Sequence, residues 1–405
     1  MPRRVRDHGS SPIRLLQVTA FVSTFDRFAM PPMLVAIAHD LGVPLSSIVE
    51  AAGEYFLAYG LMQPVWGIMS DSLGRVRTMR LTLVVAAVAT IASAFSATPL
   101  ALGLTRGVAG AFFGAAYPAS LIYLGDTVPM QRRQPEITRL MVGVALGTAA
   151  ASAGAGALAQ LVTWRAAFVV TGAAALVLTV SLRRLPEPPR HPRSSTFAPV
   201  RQVVGSPITL LVLALAFTEG AVLLGVLTLL PSSVEATGAA TWLAGAVTAA
   251  YGVAVFGWSQ LVGHLSQRLH PSRLIALGAT AALLACVVLG LSQTAVVAGL
   301  VAILLGLAWT AMHSSLQTWA TEVAPQARAL VVSLFAGSLF VGSAVAAPAV
   351  AGLAQSGRYG EVFFVAAALT VPLGLVATGA RARWQATSAD PRQAPGPPRP
   401  RAEGP

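Results

Sequence analysis

The second half of this 405-residue chain repeats the first at an offset of about 196 residues, within an apolar sequence. Asp126-Thr-Val-Pro129-Met-Gln-Arg132 returns as Glu322-Val-Ala-Pro325-Gln-Ala-Arg328. At the same offset Gly67-Ile-Met-Ser-Asp71 becomes Gly263-His-Leu-Ser-Gln267, and Tyr55, Gly110 and Phe168 meet Tyr251, Gly306 and Phe364. A register kept over so many positions describes two copies of one unit. In a chain this apolar, it predicts a duplicated membrane bundle with a path between the copies.

Hydrophobic residues make up 55% of the chain and charged residues 10%, against about 25% charged in soluble domains. With a mean hydropathy of +0.70, an ordinary soluble fold is excluded. The net charge of +12 does not point to nucleic acid. Its arginines sit in short loops between apolar runs rather than on one folded face. The single cysteine, Cys286, can form neither an intrachain disulfide nor a metal cluster, so no metal is expected.

A spanning helix needs about 20 mostly apolar residues. Twelve stretches qualify: 14–37, 47–69, 79–97, 99–125, 137–161, 164–182, 207–230, 239–262, 273–291, 294–319, 328–353 and 359–379. The first is read as a span rather than a cleaved signal, because no small-residue cleavage site follows it. Pro31-Pro32 should bend it. The fold class is therefore an all-α membrane protein of twelve transmembrane helices in two pseudo-symmetric six-helix bundles. The bundles cover 1–182 and 207–380, joined by a cytoplasmic linker over 183–206 and followed by a disordered tail over 381–405.

Arginine placement sets the orientation. With the N-terminus inside, all but four of the arginines fall in cytoplasmic segments. Arg165 and Arg358 lie in the opposite loops, and Arg27 and Arg106 lie within spans. Both termini are thus expected in the cytoplasm of a multi-pass plasma-membrane protein.

The loop after the second span reads Gly67-Ile-Met-Ser-Asp71-Ser-Leu-Gly74-Arg75-Val-Arg77-Thr-Met-Arg80. It resembles the Gly-x-x-x-Asp-x-x-Gly-Arg-x-x-x-Arg loop of the major facilitator superfamily. Residue types, position in the hydropathy pattern and the spacing from Gly67 to Arg75 agree, with the last arginine one place later at Arg80, and the resemblance covers the chain from about residue 14 to 380. The resemblance implies secondary transport and a cytoplasmic latch of Gly67, Asp71, Gly74, Arg75 and Asp126, with Asp71 facing a helix N-terminus and Arg75 pairing with Asp126. In the second copy Gln267 replaces the acid, so the mirrored latch is weakened. Arg106-Gly-Val-Ala-Gly110 resembles the family's Arg-x-x-x-Gly motif. Gly143-x-x-x-Gly147 with Ser152-Ala-Gly154-Ala-Gly156 resembles the glycine-rich motif of its drug/proton antiporters, without their Gly-Pro pair.

Charges inside spans are costly and usually functional. Asp26 and Arg27 lie about 18 Å along the first span from Arg14, near the midplane. Glu54 sits at about the depth of Arg106, which suggests a pair. Glu219 lies in the seventh span near the repeat equivalent of Asp26. Asp26, Arg27, Glu54, Arg106 and Glu219 are the proton-coupling candidates. Burial favours the neutral form of an acid, so Asp26 or Glu219 can carry a proton, with Asp26 the first choice. The alternative is a purely structural pair, Asp26 with Arg106 or Glu54 with Arg27. Tyr55, Tyr59, Tyr117, His313 and Gln317 are the candidates for lining a substrate cavity.

The expected function is alternating-access transport. Its first form is proton-coupled efflux of a small organic or drug-like compound. The alternatives are a proton-linked uptake permease for a sugar or other small metabolite, and a non-transporting membrane receptor or scaffold. No nucleotide-binding loop or nucleophile–base set appears. The expected energy source is therefore a proton gradient with no cofactor, and the chain is not expected to be an enzyme. The expected partners are a small-molecule substrate, protons and the lipid bilayer, with no nucleic acid, and the protein is expected to be monomeric.

Overall fold

The computed structural model describes residues 11–188, 203 and 205–388. All the described regular structure is helical. Among the described residues, eleven helices are long and apolar enough to cross a membrane. They are α1 (Pro12–Leu41), α3 (Arg75–Ala94), α4 (Pro99–Thr127), α5 (Pro135–Leu161), α6 (Trp164–Arg184), α7 (Pro207–Glu235), α8 (Thr241–Leu265), α9 (Pro271–Leu291), α10 (Ala295–Glu322), α11 (Pro325–Ala349) and α12 (Tyr359–Trp384). The stretch expected over 47–69 is the helix α2 (Leu45–Leu73), 29 residues or about 43 Å long at 1.5 Å per residue. Glu50, Glu54 and Gln63 interrupt its apolar run, and it is not among those eleven.

Prolines break the rods where the sequence requires it. Pro31 and Pro32 have no N–H for the carbonyls of Arg27 and Phe28. Here α1 passes through a short 3-10 turn, Pro31–Met33, before resuming as Leu34–Leu41. Pro118 likewise has no N–H for the carbonyl of Gly114, and α4 is interrupted between Phe113 and Ala116. The freed Gly114 oxygen accepts instead from Gln63 Nε2 on α2 at 3.2 Å. Packed membrane helices satisfy broken backbone in this way. Two other rods carry a π turn: Gly220–Leu224 in α7 and Trp309–His313 in α10.

The first six rods meet the last six along α2–α11 and α5–α8. The central rods α1 and α7 meet at the end away from the termini, where every residue from Gly225 to Val234 is buried. There Ser46 N donates to Gln355 Oε1 at 3.2 Å and Trp242 N to Gln160 Oε1 at 3.0 Å. At the arginine-rich end the matching half of α10 packs on α7, α9 and α11. Its Ser314, Gln317 and Thr318, with Ser259 and Gln260 of α8, are exposed. The halves are thus hydrogen-bonded together at the end away from the termini, while polar side chains of both halves are exposed at the arginine-rich end.

The segment ends differ from expectation. The tail is expected from 381, but helix continues to Ser388 and Arg381 is 1% exposed. Its guanidinium lies over the rings of Trp319 and Trp384 and pairs with Glu322 at 2.7 Å. Stacking on two indoles lets an arginine bury beyond the end of an apolar run. The remaining tail and most of the expected linker lie outside the described residues. The linker residue Glu187 is described. Its carboxylate accepts from the N–H groups of Val76 and Arg77 at 3.1 and 3.0 Å, which caps α3 at the positive end of its dipole.

The crossing of α7 and α11 is close enough to exclude side chains. A Cβ at Gly220 would overlap the Leu339 carbonyl, and one at Gly342 would overlap the Phe217 carbonyl. Gly342→Val should therefore push the two rods apart, at about 1–3 kcal/mol for an overpacked contact. Thermal unfolding of the purified variant checks this; a melting temperature equal to wild type would show that the crossing relaxes freely.

Candidate functional site

The two sequence halves each bury a carboxylate, and the two carboxylates have different surroundings. Asp26 on α1 and Arg106 on α4 are both fully buried. Arg106 Nη1 and Nη2 donate to Asp26 Oδ1 and Oδ2 at 3.1 and 2.9 Å, and Nη2 also donates to the Asp26 carbonyl at 2.9 Å. Thr90 Oγ1 on α3 donates to Asp26 Oδ1 at 3.0 Å. The guanidinium is sandwiched by the rings of Tyr55 on α2 and Phe168 on α6, at 4.5 and 4.7 Å. One bidentate pair thus ties together five of the first six rods.

The enclosed Asp26 has the geometry of the Asp26–Arg106 pair that the sequence leaves open as an alternative, and the arrangement departs from two expectations. Arg106 takes Asp26, so Glu54 does not pair with it. Glu54 is exposed on a face of α2 that also carries exposed Leu57, Leu61 and Ile68, so it shares their outward-facing stripe. Tyr55 is 2% exposed and belongs to the Arg106 sandwich rather than to a cavity wall.

Glu219 on α7 is also fully buried, and its Oε2 lies 3.1 Å from Nδ1 of His313 on α10. Its Oε1 is buried without a hydrogen-bond partner. The imidazole stacks on Trp309 at 4.0 Å, lies near Phe335 of α11 at 5.6 Å, and is 12% exposed. Both partners adjoin π turns: Glu219 immediately precedes one, and His313 closes the other. A π turn inserts a residue and rotates the helix beyond it, which aims the two side chains at each other; such turns are frequent at functional sites. Gln317, one helical turn beyond His313, is exposed.

Arg27, next to Asp26, points elsewhere, as adjacent helical residues must. It is partly buried, and its Nη1 donates to Tyr59 Oη at 3.2 Å and its Nη2 to Thr24 Oγ1 at 3.4 Å. The rings of Phe28, Tyr59 and Phe340 lie 5.0, 5.4 and 5.4 Å from its guanidinium carbon. Phe340 comes from α11, so this cage spans both halves. Among the described residues Arg27 has no ion-pair partner, and its Nε is buried without a hydrogen bond. Tyr117 on α4 is partly exposed, with its hydroxyl 3.7 Å from Met141 Sδ, and Tyr251 on α8 is buried. Tyr59 is buried, but its hydroxyl touches Arg27.

At the arginine-rich end, Arg75 Nε donates to Asp126 Oδ2 at 3.1 Å and Nη1 to Ser70 Oγ at 3.2 Å. Gly74 sits at φ 102°, and a Cβ there would also meet the Glu187 carboxylate, so the turn requires glycine. Gly67 faces Ser333 of α11. The side chain of Asp71 lies outside the described residues. In the second copy, Glu322, the repeat of Asp126, takes Arg381 from α12. Sequence reading misses both Glu187 and Arg381: the first lies in a polar linker, the second just past an apolar run.

The family model of the Major Facilitator Superfamily matches residues 16–336 of the chain. The chain is 28% identical over 209 residues to the 4-hydroxybenzoate transporter PcaK of Pseudomonas aeruginosa, covering 50% of this chain and 46% of that one. It is also 28% identical over 172 residues to an MFS-type efflux pump of Mycolicibacterium smegmatis, covering 41% and 39%. The chain thus spans less than half the length of each of these relatives. Among solved structures, a point mutant of the nucleoside transporter NupG superposes with a TM-score of 0.78 at 14% identity, over 91% of this chain and 99% of that one. A D-xylose–proton symporter gives 0.75 at 16% identity, over 91% and 96%.

Proposed function

The chain belongs to the Major Facilitator Superfamily, and from that premise we propose that it is a proton-coupled secondary transporter of a small organic molecule, working by alternating access. We read α2 as a further span, which gives twelve spans in two six-helix halves, 1–182 and 207–380, in the plasma membrane with both termini cytoplasmic. On this reading the transporter works as a monomer, driven by the proton gradient and without a cofactor.

The observation that carries the proton coupling is the Glu219–His313 pair. The sequence alone favours Asp26 over Glu219 as the carrier, and the geometry supports the reverse. The partner of Asp26 is a guanidinium, which stays charged over any physiological range. Two aromatic rings close the pair off. Glu219 has a partly exposed imidazole as its partner, a group able to accept and donate a proton, and one carboxylate oxygen without a hydrogen bond. Asp26 and Arg106 then act as the fixed centre of the first half. The test is proton movement in proteoliposomes containing the purified chain, driven by an imposed substrate gradient and followed with an internal pH dye. Substrate movement without any proton movement would overturn the coupling.

For direction, efflux follows from the α5 glycine pattern and has support in the similarity to the M. smegmatis efflux pump. The glycines themselves are used in packing: Gly143 and Gly147 lie on α1, and Gly156 on α8. Proton-linked uptake is the second reading, supported by the similarity to the 4-hydroxybenzoate transporter. Vesicles carrying an imposed gradient separate the two. An inward proton gradient should empty right-side-out vesicles of substrate if the protein exports, and fill them if it imports.

A further inference from the structure

We propose that Arg27 is the anchor for a substrate carboxylate, and that the molecule carried is a small organic monoanion with a flat, apolar body. This rests on the chain being a small-molecule transporter through the central cleft. A guanidinium near the bilayer midplane is costly unless an anion or water compensates it. Arg106, at comparable depth, has a bidentate carboxylate; Arg27 has two long hydrogen bonds to neutral hydroxyls, a buried and unpartnered Nε, and no acid among the described residues. Guanidinium groups bind carboxylates through two parallel N–H···O bonds, so the unused donors of Arg27 match that ligand.

The surroundings specify the rest of the molecule. Phe28, Tyr59 and Phe340 ring the cation. Aromatic walls favour a planar apolar body over a sugar, whose hydroxyls would need many more polar partners. Phe340 belongs to α11, so an anion bound at Arg27 touches both halves and is placed to sense their relative movement.

The experiment uses the purified full chain and paired probes: benzoate, 4-hydroxybenzoate, phenylacetate and cyclohexanecarboxylate, each against its uncharged amide. Thermal stabilisation is read for wild type, Arg27→Gln and Arg27→Lys. At least one carboxylate should stabilise wild type and its amide should not. Arg27→Gln should bind that carboxylate about 10- to 100-fold more weakly, the loss expected for a charge-assisted bidentate contact. Arg27→Lys should retain part of the affinity. Equal stabilisation by acid and amide, an undiminished response in Arg27→Gln, or no response to any acid would each overturn the proposal. A second variant separates it from the proton-coupling proposal. Glu219→Gln should keep the carboxylate response. Carboxylate binding without proton movement refutes the coupling alone, and proton movement with an uncharged substrate refutes the anion site alone.

Discussion

Asp26→Asn should leave little folded protein. The substitution strands a buried arginine between two rings with its charge compensation gone. Breaking one side of such a pair costs about 3–5 kcal/mol. Five rods converge on this pair, so the loss should appear as a collapse of the monodisperse peak in detergent, not only as lost transport. Asp26→Leu combined with Arg106→Met removes both charges at similar volume, and should recover much of the thermal stability. A stable Asp26→Asn protein with wild-type melting would refute the role of this pair as the fixed centre of the first half. If that protein also retained its shape but lost proton coupling, the carrier would be Asp26 after all.

Glu219→Gln should behave in the opposite way. The amide can keep a hydrogen bond to His313, so the fold should survive. Proton-driven accumulation should not. In a fully coupled one-proton carrier, each pH unit of gradient supports about a tenfold substrate ratio, equivalent to about 1.4 kcal/mol. In Glu219→Gln the ratio should fall to about one, while exchange of labelled for unlabelled substrate across the bilayer continues. Retained exchange with lost accumulation separates coupling from binding. Undiminished accumulation would remove Glu219 from the mechanism.

The hydropathy pattern and the 196-residue repeat carry most of the fold, because spanning length and loop charge are one-dimensional properties. The break at Pro31-Pro32 is legible too, since a missing N–H acts locally, whereas Pro64, Pro231 and Pro372 sit inside helices that continue. The π turns at Gly220–Leu224 and Trp309–His313 are not: one extra residue in a turn leaves an apolar run unchanged. The side-chain partners depend on helix rotation, which those turns reset. Asp26 and Arg106 can be proposed as a pair from sequence, but so can Glu54 and Arg106, and only packing separates them. Glu219 and His313 are 94 residues apart, and the sequence marks each of them separately. The neighbours Asp26 and Arg27 fall into one coupling set on sequence, although their side chains enter different environments, one fully buried on Arg106 and one partly buried among Tyr59, Phe28 and Phe340.

Alternation between two cleft openings is tested most directly by two inter-half distances measured by pulsed electron spin resonance on spin-labelled protein. With Cys286→Ser as background, one label pair at Ser46→Cys and Gln355→Cys reports the sealed end, where these residues are hydrogen-bonded across the halves. A second pair at Arg139→Cys and Gln260→Cys, both exposed, reports the arginine-rich end. Lowering the pH, adding a stabilising ligand or introducing Glu219→Gln should lengthen one distance and shorten the other. If both stay fixed, or both move in the same direction under all three changes, the halves do not rock about a central site.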